Sequence, residues 1–124
     1  MKIKRIDIGI KGLEESLQDF ADTWKKVQAG ERVKKDEAIY FETVDAMRSV
    51  LTNNRLLILR TIRERKPHSV YELAKILGRD LKNVNQDLML LAEIGLVTLE
   101  KTTTDKKRVI PHVDYNMIQV EIPV

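Results

Sequence analysis

Cysteine is absent from these 124 residues. That excludes disulfides, a thiolate metal site and a cysteine nucleophile, and it suits a reducing, cytoplasmic setting. No apolar run approaches the roughly 20 residues of a membrane helix, so no membrane association is expected. The opening MKIKRIDIGIKG is basic but lacks the continuous apolar centre of a signal peptide. The two histidines, His68 and His112, flank prolines far apart in the chain, and no metal site is expected of them. A glycine-rich phosphate loop, a nucleophile elbow and a supported His, Asp and Ser arrangement are also missing. The expectation is a protein that is not an enzyme, with no catalytic residues and no cofactor.

What remains is a composition 43% hydrophobic and 33% charged, that of a helix-rich globular chain. Its length fits one domain, or one domain plus an arm, and folds this small often gain stability by dimerising. The net charge is +3, from 22 basic and 19 acidic side chains. Residues 1–50 carry 10 of each, so the whole excess lies in residues 51–124. So small an excess says little until individual charges are placed.

Ile6, Ile8 and Ile10 alternate with Asp7 and Gly9, the period of a strand. Leu13, Leu17, Phe20, Trp24 and Val27 then recur at steps of four and three, a narrow stripe along a helix. Glu14 and Glu15 open that helix, Lys25 and Lys26 approach its end, and Gly30 follows, the signs its dipole favours. A seam this narrow packs against one surface, either the protein's own core or another subunit. ERVKKDE reads as a solvated linker, AIYFET as a short strand and VDAMRSVL as a short helix.

Thr52 is placed to cap the next helix. There Leu56 to Leu59 and Ile62 are apolar nearly all round, which predicts a buried central helix ending before Pro67. In SVYELAKILG, Ser69 and Glu72 form a capping box. Val70, Leu73, Ala74 and Leu77 follow one face, and Gly78 stops the helix. Asp80 is placed to cap another helix almost at once, so the pair predicts a helix-turn-helix. LVTLEKTTTDKKRVIPHV reads as strand, basic turn, strand, and YNMIQVEIPV as a last half-buried strand.

The second motif helix carries the chemistry. At 100° per residue, Leu81, Val84, Leu88 and Leu91 fall within about 80° of one another. Lys82, Asn83, Gln86 and Met89 lie opposite, Asn85 sits on the flank nearer the core, and Arg79 precedes them in the turn. Leu90 also points outward, where the following hairpin is expected to cover it. Any solvated face needs polar residues, but amides have poorer helix propensity than Glu or Lys, and two Asn within three residues cost stability without local return. In a major groove they have a use: Asn and Gln pair bidentately with adenine, and Arg and Lys reach guanine or phosphate. The helix N-terminus adds free N–H groups for phosphate.

From Leu51 to Val113 the chain resembles the MarR/ArsR-like superfamily of prokaryotic transcriptional regulators, with SVYELA and LMLLAEIGLV the most typical runs. It is most similar to small DNA-binding proteins of archaea and bacteria, some of them proposed antitoxins. The resemblance implies an α+β, mainly helical fold: a winged helix-turn-helix domain over residues 45–124 with a C-terminal β-hairpin wing. Residues 1–44, a strand–helix–strand segment, would be an added dimerisation arm. The helix from Asp80 would be the recognition helix, with Arg79, Lys82, Asn83, Asn85 and Gln86 as DNA-binding residues. The turn 102–108 would be the wing, with Lys106, Lys107 and Arg108 toward phosphates or the minor groove. Ser69 and Tyr71 are candidates for backbone contacts, although Tyr71 fits packing equally well, and Arg55 is expected to be solvated.

The implied function is a homodimeric, sequence-specific regulator of transcription that binds double-stranded DNA. Two other readings stay open. One is an antitoxin that holds a toxin and autoregulates its operon; the other is a winged helix used for protein contact without DNA affinity.

Overall fold

The computed structural model describes residues 4–28, 38–103 and 108–124, and within the first helix the side chains of residues 17–22, 24 and 25. The chain is small and mixed α/β. Among the described residues it runs β1 (Arg5–Ile10), α1 (Leu13–Gln28), β2 (Ile39–Phe41), α2 (Val44–Val50), α3 (Asn53–Arg65), α4 (Val70–Leu77), α5 (Leu81–Glu93), β3 (Thr98–Lys101), β4 (Val109–His112) and β5 (Met117–Glu121). No helix among them is long and apolar enough to cross a membrane.

Two compact units divide the chain. One comprises residues 6–49 and 118–124, the other residues 1–5 and 50–117. The expected division into 1–44 and 45–124 put the final strand with the second part. Sheet pairing puts it elsewhere, because the three-stranded order is β2-β1-β5.

In the first unit β1 and β2 run parallel, with Ile8, Gly9 and Ile10 opposite Ile39, Tyr40 and Phe41. Parallel neighbours need a long crossover, here the segment containing α1. Ile8 on the middle strand is buried. Gly9 is required by its neighbour: a Cβ there would stand 2.8 Å from Cε1 of Tyr40. The Tyr40 ring in turn lies 4.1 Å from the ammonium of Lys11, which donates to Asp19. That hydrogen bond raises the Lys11 pKa; desolvation opposes it, and the electrostatics of Tyr40 and Asp19 add to the rise.

The second unit is built on α3, α4 and α5. Thr52 caps α3 by accepting from the Arg55 amide, as its position predicts. Ile58, Leu59, Thr61 and Ile62 are buried, but Leu56 and Leu57 are exposed. The apolar run therefore overstates burial: α3 turns Ile58 and Ile62 inward and leaves Leu56 and Leu57 about 100–160° away from Ile58. Thr61 is accommodated because its hydroxyl donates to the Leu57 carbonyl at 2.7 Å, satisfying its donor within the helix. Lys66 ends α3 in a left-handed conformation, donating to Ile62, and Pro67 is buried behind it.

β3 and β4 are antiparallel, pairing Thr98 with His112 and Lys101 with Val109. Past the last pair, Thr102 donates its amide to the Arg108 carbonyl at 2.9 Å, and its hydroxyl accepts from the Arg108 amide at 3.0 Å. On one face His112 Nε2 meets a Glu100 carboxylate oxygen at 2.6 Å, a diagonal cross-strand pair.

Tyr115 closes this unit. It is buried, and its hydroxyl donates to the Leu96 carbonyl at 2.7 Å. Burial, helped by nearby Asp114, pushes the phenol far above its ordinary pKa of 10.0. An unfolded tyrosine ionises near pH 10 while the folded one resists, so stability is intact below that pH and falls as pH rises above it. Tyr115→Phe should cost roughly 1–3 kcal/mol at neutral pH, by stranding the Leu96 carbonyl. It should also flatten the loss of stability above pH 10, both effects being read from urea melts across pH.

Candidate nucleic-acid interface

The site is assembled by two helices and a three-residue turn. Ser69 starts α4 by accepting from the Glu72 amide at 3.0 Å, the predicted cap. The far end needs a residue that tolerates positive φ, and Gly78 supplies it at φ 65°. There the amides of Gly78 and Arg79 return to Lys75 and Ala74, closing the last turn of α4 and launching α5 after only Arg79 and Asp80. Asp80 occupies the N-cap position of α5, but its side chain makes no capping hydrogen bond. The expected cap is positional only, so the first amides of α5 lack side-chain satisfaction from Asp80.

Val84, Leu88 and Leu91 are completely buried. Each such side chain contributes roughly 1.5–3 kcal/mol by leaving water, which fixes the rotation of α5 about its axis. Leu81 departs from the expected core cluster and is exposed. It sits in the first turn, about 60° from Val84. Lys82, Asn83, Asn85 and Gln86 are all exposed. Lys82 and Gln86 point almost directly away from Val84, and Asn83 and Asn85 flank them at about 100° on either side. Asn85, expected nearer the core, is therefore part of the open face. Leu90, expected to be covered, is half-buried.

Asp87 supplies a second constraint. One carboxylate oxygen accepts from Nε of Arg55 on α3 at 3.2 Å, and the other from Nη2 of Arg79 in the turn at 2.9 Å. All three side chains are largely shielded. Arg79, expected to contact DNA, is thus a clasp between the turn and α5, and its Nη1 is buried without a hydrogen-bond partner among the described residues. Arg55, expected to be solvated, is the other half of the clasp and also donates to the Val50 carbonyl at 3.0 Å.

Beside α5 an open groove of about 890 Å³ is lined by Ser69, Tyr71, Lys75, Lys82, Asn85 and Arg108, among others. Residues expected from separate stretches thus meet here. Tyr71 is exposed, with the Lys75 ammonium 5.3 Å from its ring centre, so of its two readings packing into the core is set aside. Lys75 was not anticipated from the sequence; its i+4 spacing from Tyr71 was the available signal. Arg108 is exposed where β4 begins. Lys106 and Lys107 lie outside the described residues. Among the described residues no group of His, Cys, Asp or Glu is placed to hold a metal ion.

Chemically, the surface offers cations, amides, a phenol and a serine hydroxyl along one concave strip. Such donors suit an anionic, hydrogen-bonding polymer. The HVO_A0114 family model matches residues 50–120, the span that holds this whole surface, and no curated protein matches the chain significantly.

If Asp87 sets the pose of α5, Asp87→Ala should destabilise the fold by about 1.5–3 kcal/mol, the worth of hydrogen bonds to charged groups. The measurement is a lowered urea midpoint at unchanged slope.

Proposed function

We propose that this chain, which belongs to the HVO_A0114 family, is a sequence-specific regulator of transcription that binds double-stranded DNA. On this reading α3, α4, α5 and the β3–β4 hairpin are a winged helix of the MarR/ArsR-like kind. α5 enters the major groove and the 102–108 turn reaches the backbone or the minor groove. The observation that carries it is the sorting of α5: Lys82, Asn83, Asn85 and Gln86 stand in solvent opposite a fully buried apolar seam. A helix can be pushed into a groove only if its outward face is free of its own core.

The roles divide by chemistry. Gln86 and Asn83 read base edges, because a carboxamide matches the donor and acceptor pair of adenine. Lys82, Lys75, Tyr71 and Arg108 line the strip that the sugar-phosphate backbone would follow, and Lys106 and Lys107 immediately precede Arg108 in the sequence. Arg79 acts by holding α5 through Asp87 rather than by touching DNA. A two-fold pair of subunits would present two such helices to half-sites about 34–36 Å apart.

Sequencing genomic DNA that co-precipitates with the protein should yield an operator, and mobility shifts on it then separate the roles. Gln86→Ala should cost roughly 1–3 kcal/mol on the operator and much less on random DNA. Reversing Lys106 and Lys107 to Glu should weaken binding to all sequences alike and lower the salt slope by about two. No shift on any DNA at low salt would remove the proposal in favour of a protein-contact module.

A further inference from the structure

One apolar residue of α5 stands apart from the core of its own unit. Leu81 is 43% exposed, whereas Val84, Leu88 and Leu91 of the same helix are completely buried. A single leucine in water needs no explanation. Leu81, however, lines the groove beside α5, and Val70, Tyr71 and Val109 line it too. All four belong to one compact unit, and Tyr71 is exposed as Leu81 is. The strip thus offers apolar surface among its cations and amides. A phosphate oxygen gains nothing from such surface, since a charge taken out of water without a donor costs free energy. Something other than the sugar-phosphate backbone must use it.

The neighbours of Leu81 on α5 say what kind of edge fits. At about 100° per residue, Asn85 stands about 40° round the helix from Leu81, and Met89 about 40° further. The three form one exposed row. Leu81 and Asn85 line the groove, and its described lining does not include Met89. Residues four apart on a helix hold their Cβ atoms about 5–6 Å apart, the reach of one to two base steps of about 3.4 Å. An isobutyl group beside a carboxamide is complementary to one kind of base pair. Adenine offers the donor and acceptor that a carboxamide pairs with, and thymine carries an apolar group, its 5-methyl, in the major groove. Guanine and cytosine present only acceptors and a donor there, which leaves a leucine against polar atoms.

We infer that Leu81 is a specificity-determining residue, whose side chain meets the 5-methyl group of a thymine in the A·T pair held by Asn85 or in the next pair. The inference rests on the DNA reading above and deepens it by naming the base pair that this side of α5 selects. It gives Asn85 a part separate from those of Gln86 and Asn83, which stand about 140° and 160° round the helix from Leu81 in opposite directions. The contact takes two apolar groups out of water together. One methyl is worth about fourfold in affinity, from roughly 0.8 kcal/mol per buried carbon.

The probe is a duplex from the genomic DNA that co-precipitates with the protein, synthesised with each thymine in turn replaced by deoxyuridine. That exchange deletes the methyl and keeps every base-pairing hydrogen bond. Mobility shifts with the full-length protein should reveal at least one position where deoxyuridine weakens binding about fourfold. Leu81→Ala should stay folded by its thermal melt, because the residue lies at the rim of the core, and should bind thymine and deoxyuridine at that position alike. Met89→Ala, on the same row of α5, should keep the fourfold difference. The inference is overturned if binding is indifferent to deoxyuridine everywhere or if the difference survives Leu81→Ala. It is also overturned if Met89→Ala abolishes the difference, which would make it a property of the pose of α5. Binding to no duplex at low salt is a separate result: it removes the DNA reading, and this inference with it.

Discussion

The orientation of α5 rests on an opposition between two faces of one helix, and everything assigned to its outer face depends on it. Val84, Leu88 and Leu91 are completely buried, so rotating the helix by even a quarter turn would bring one or more of them into water. Such a rotation also breaks the Asp87 clasp, whose two oxygens are held from different directions by Arg55 and Arg79. Apolar burial sets the angle coarsely, and the charged hydrogen bonds, with their narrower geometry, set it finely. Lys82 and Gln86 are carried outward as a consequence. The amides therefore need no contacts of their own to stay in place, which leaves them free for another molecule.

Local chemistry was the legible part of the fold. The Ser69 cap, the Gly78 stop and the Thr52 cap each concern groups within a few residues, and each stands where the sequence puts it. Period and spacing likewise give β1, α1 and the outward sorting of α5. Failures arise where an answer depends on distant chain. The apolar run of α3 looks buried all round, but periodicity counts apolar residues without knowing how many neighbours the fold supplies. Leu56 and Leu57 stay exposed. The parallel pairing of β1 with β2, and the placement of β5 beside β1, join strands far apart in sequence with no local sign of their partner.

At the candidate interface the split is similar. Lys82, Asn83 and Gln86 are readable because a helical wheel needs only their own helix. The role of Arg79 is not, because its partner Asp87 lies two turns into α5, and the matching Arg55 lies 32 positions from that carboxylate. A basic residue before a recognition-like helix looks like a phosphate ligand until that carboxylate is located. Leu81 misleads for another reason: the first turn of a helix lies at the rim of the core, where a wheel position no longer implies cover.

A chain with a net charge of only +3 has little long-range pull on a polyanion, so on the proposed reading affinity must come from where its cations stand. The described part of the groove places Lys75, Lys82 and Arg108 together, while acidic residues such as Asp87 are spent on internal pairs. A single such strip makes few phosphate contacts, and each contact weakens as salt rises. On the proposed reading, pairing two copies would change the arithmetic without adding a contact. Once one copy is bound, the second meets its half-site at a raised effective concentration. On that reading a weak dimer would let free chains exchange, and DNA bearing two correctly spaced half-sites would drive the pairing, so that spacing would be discriminated along with base sequence.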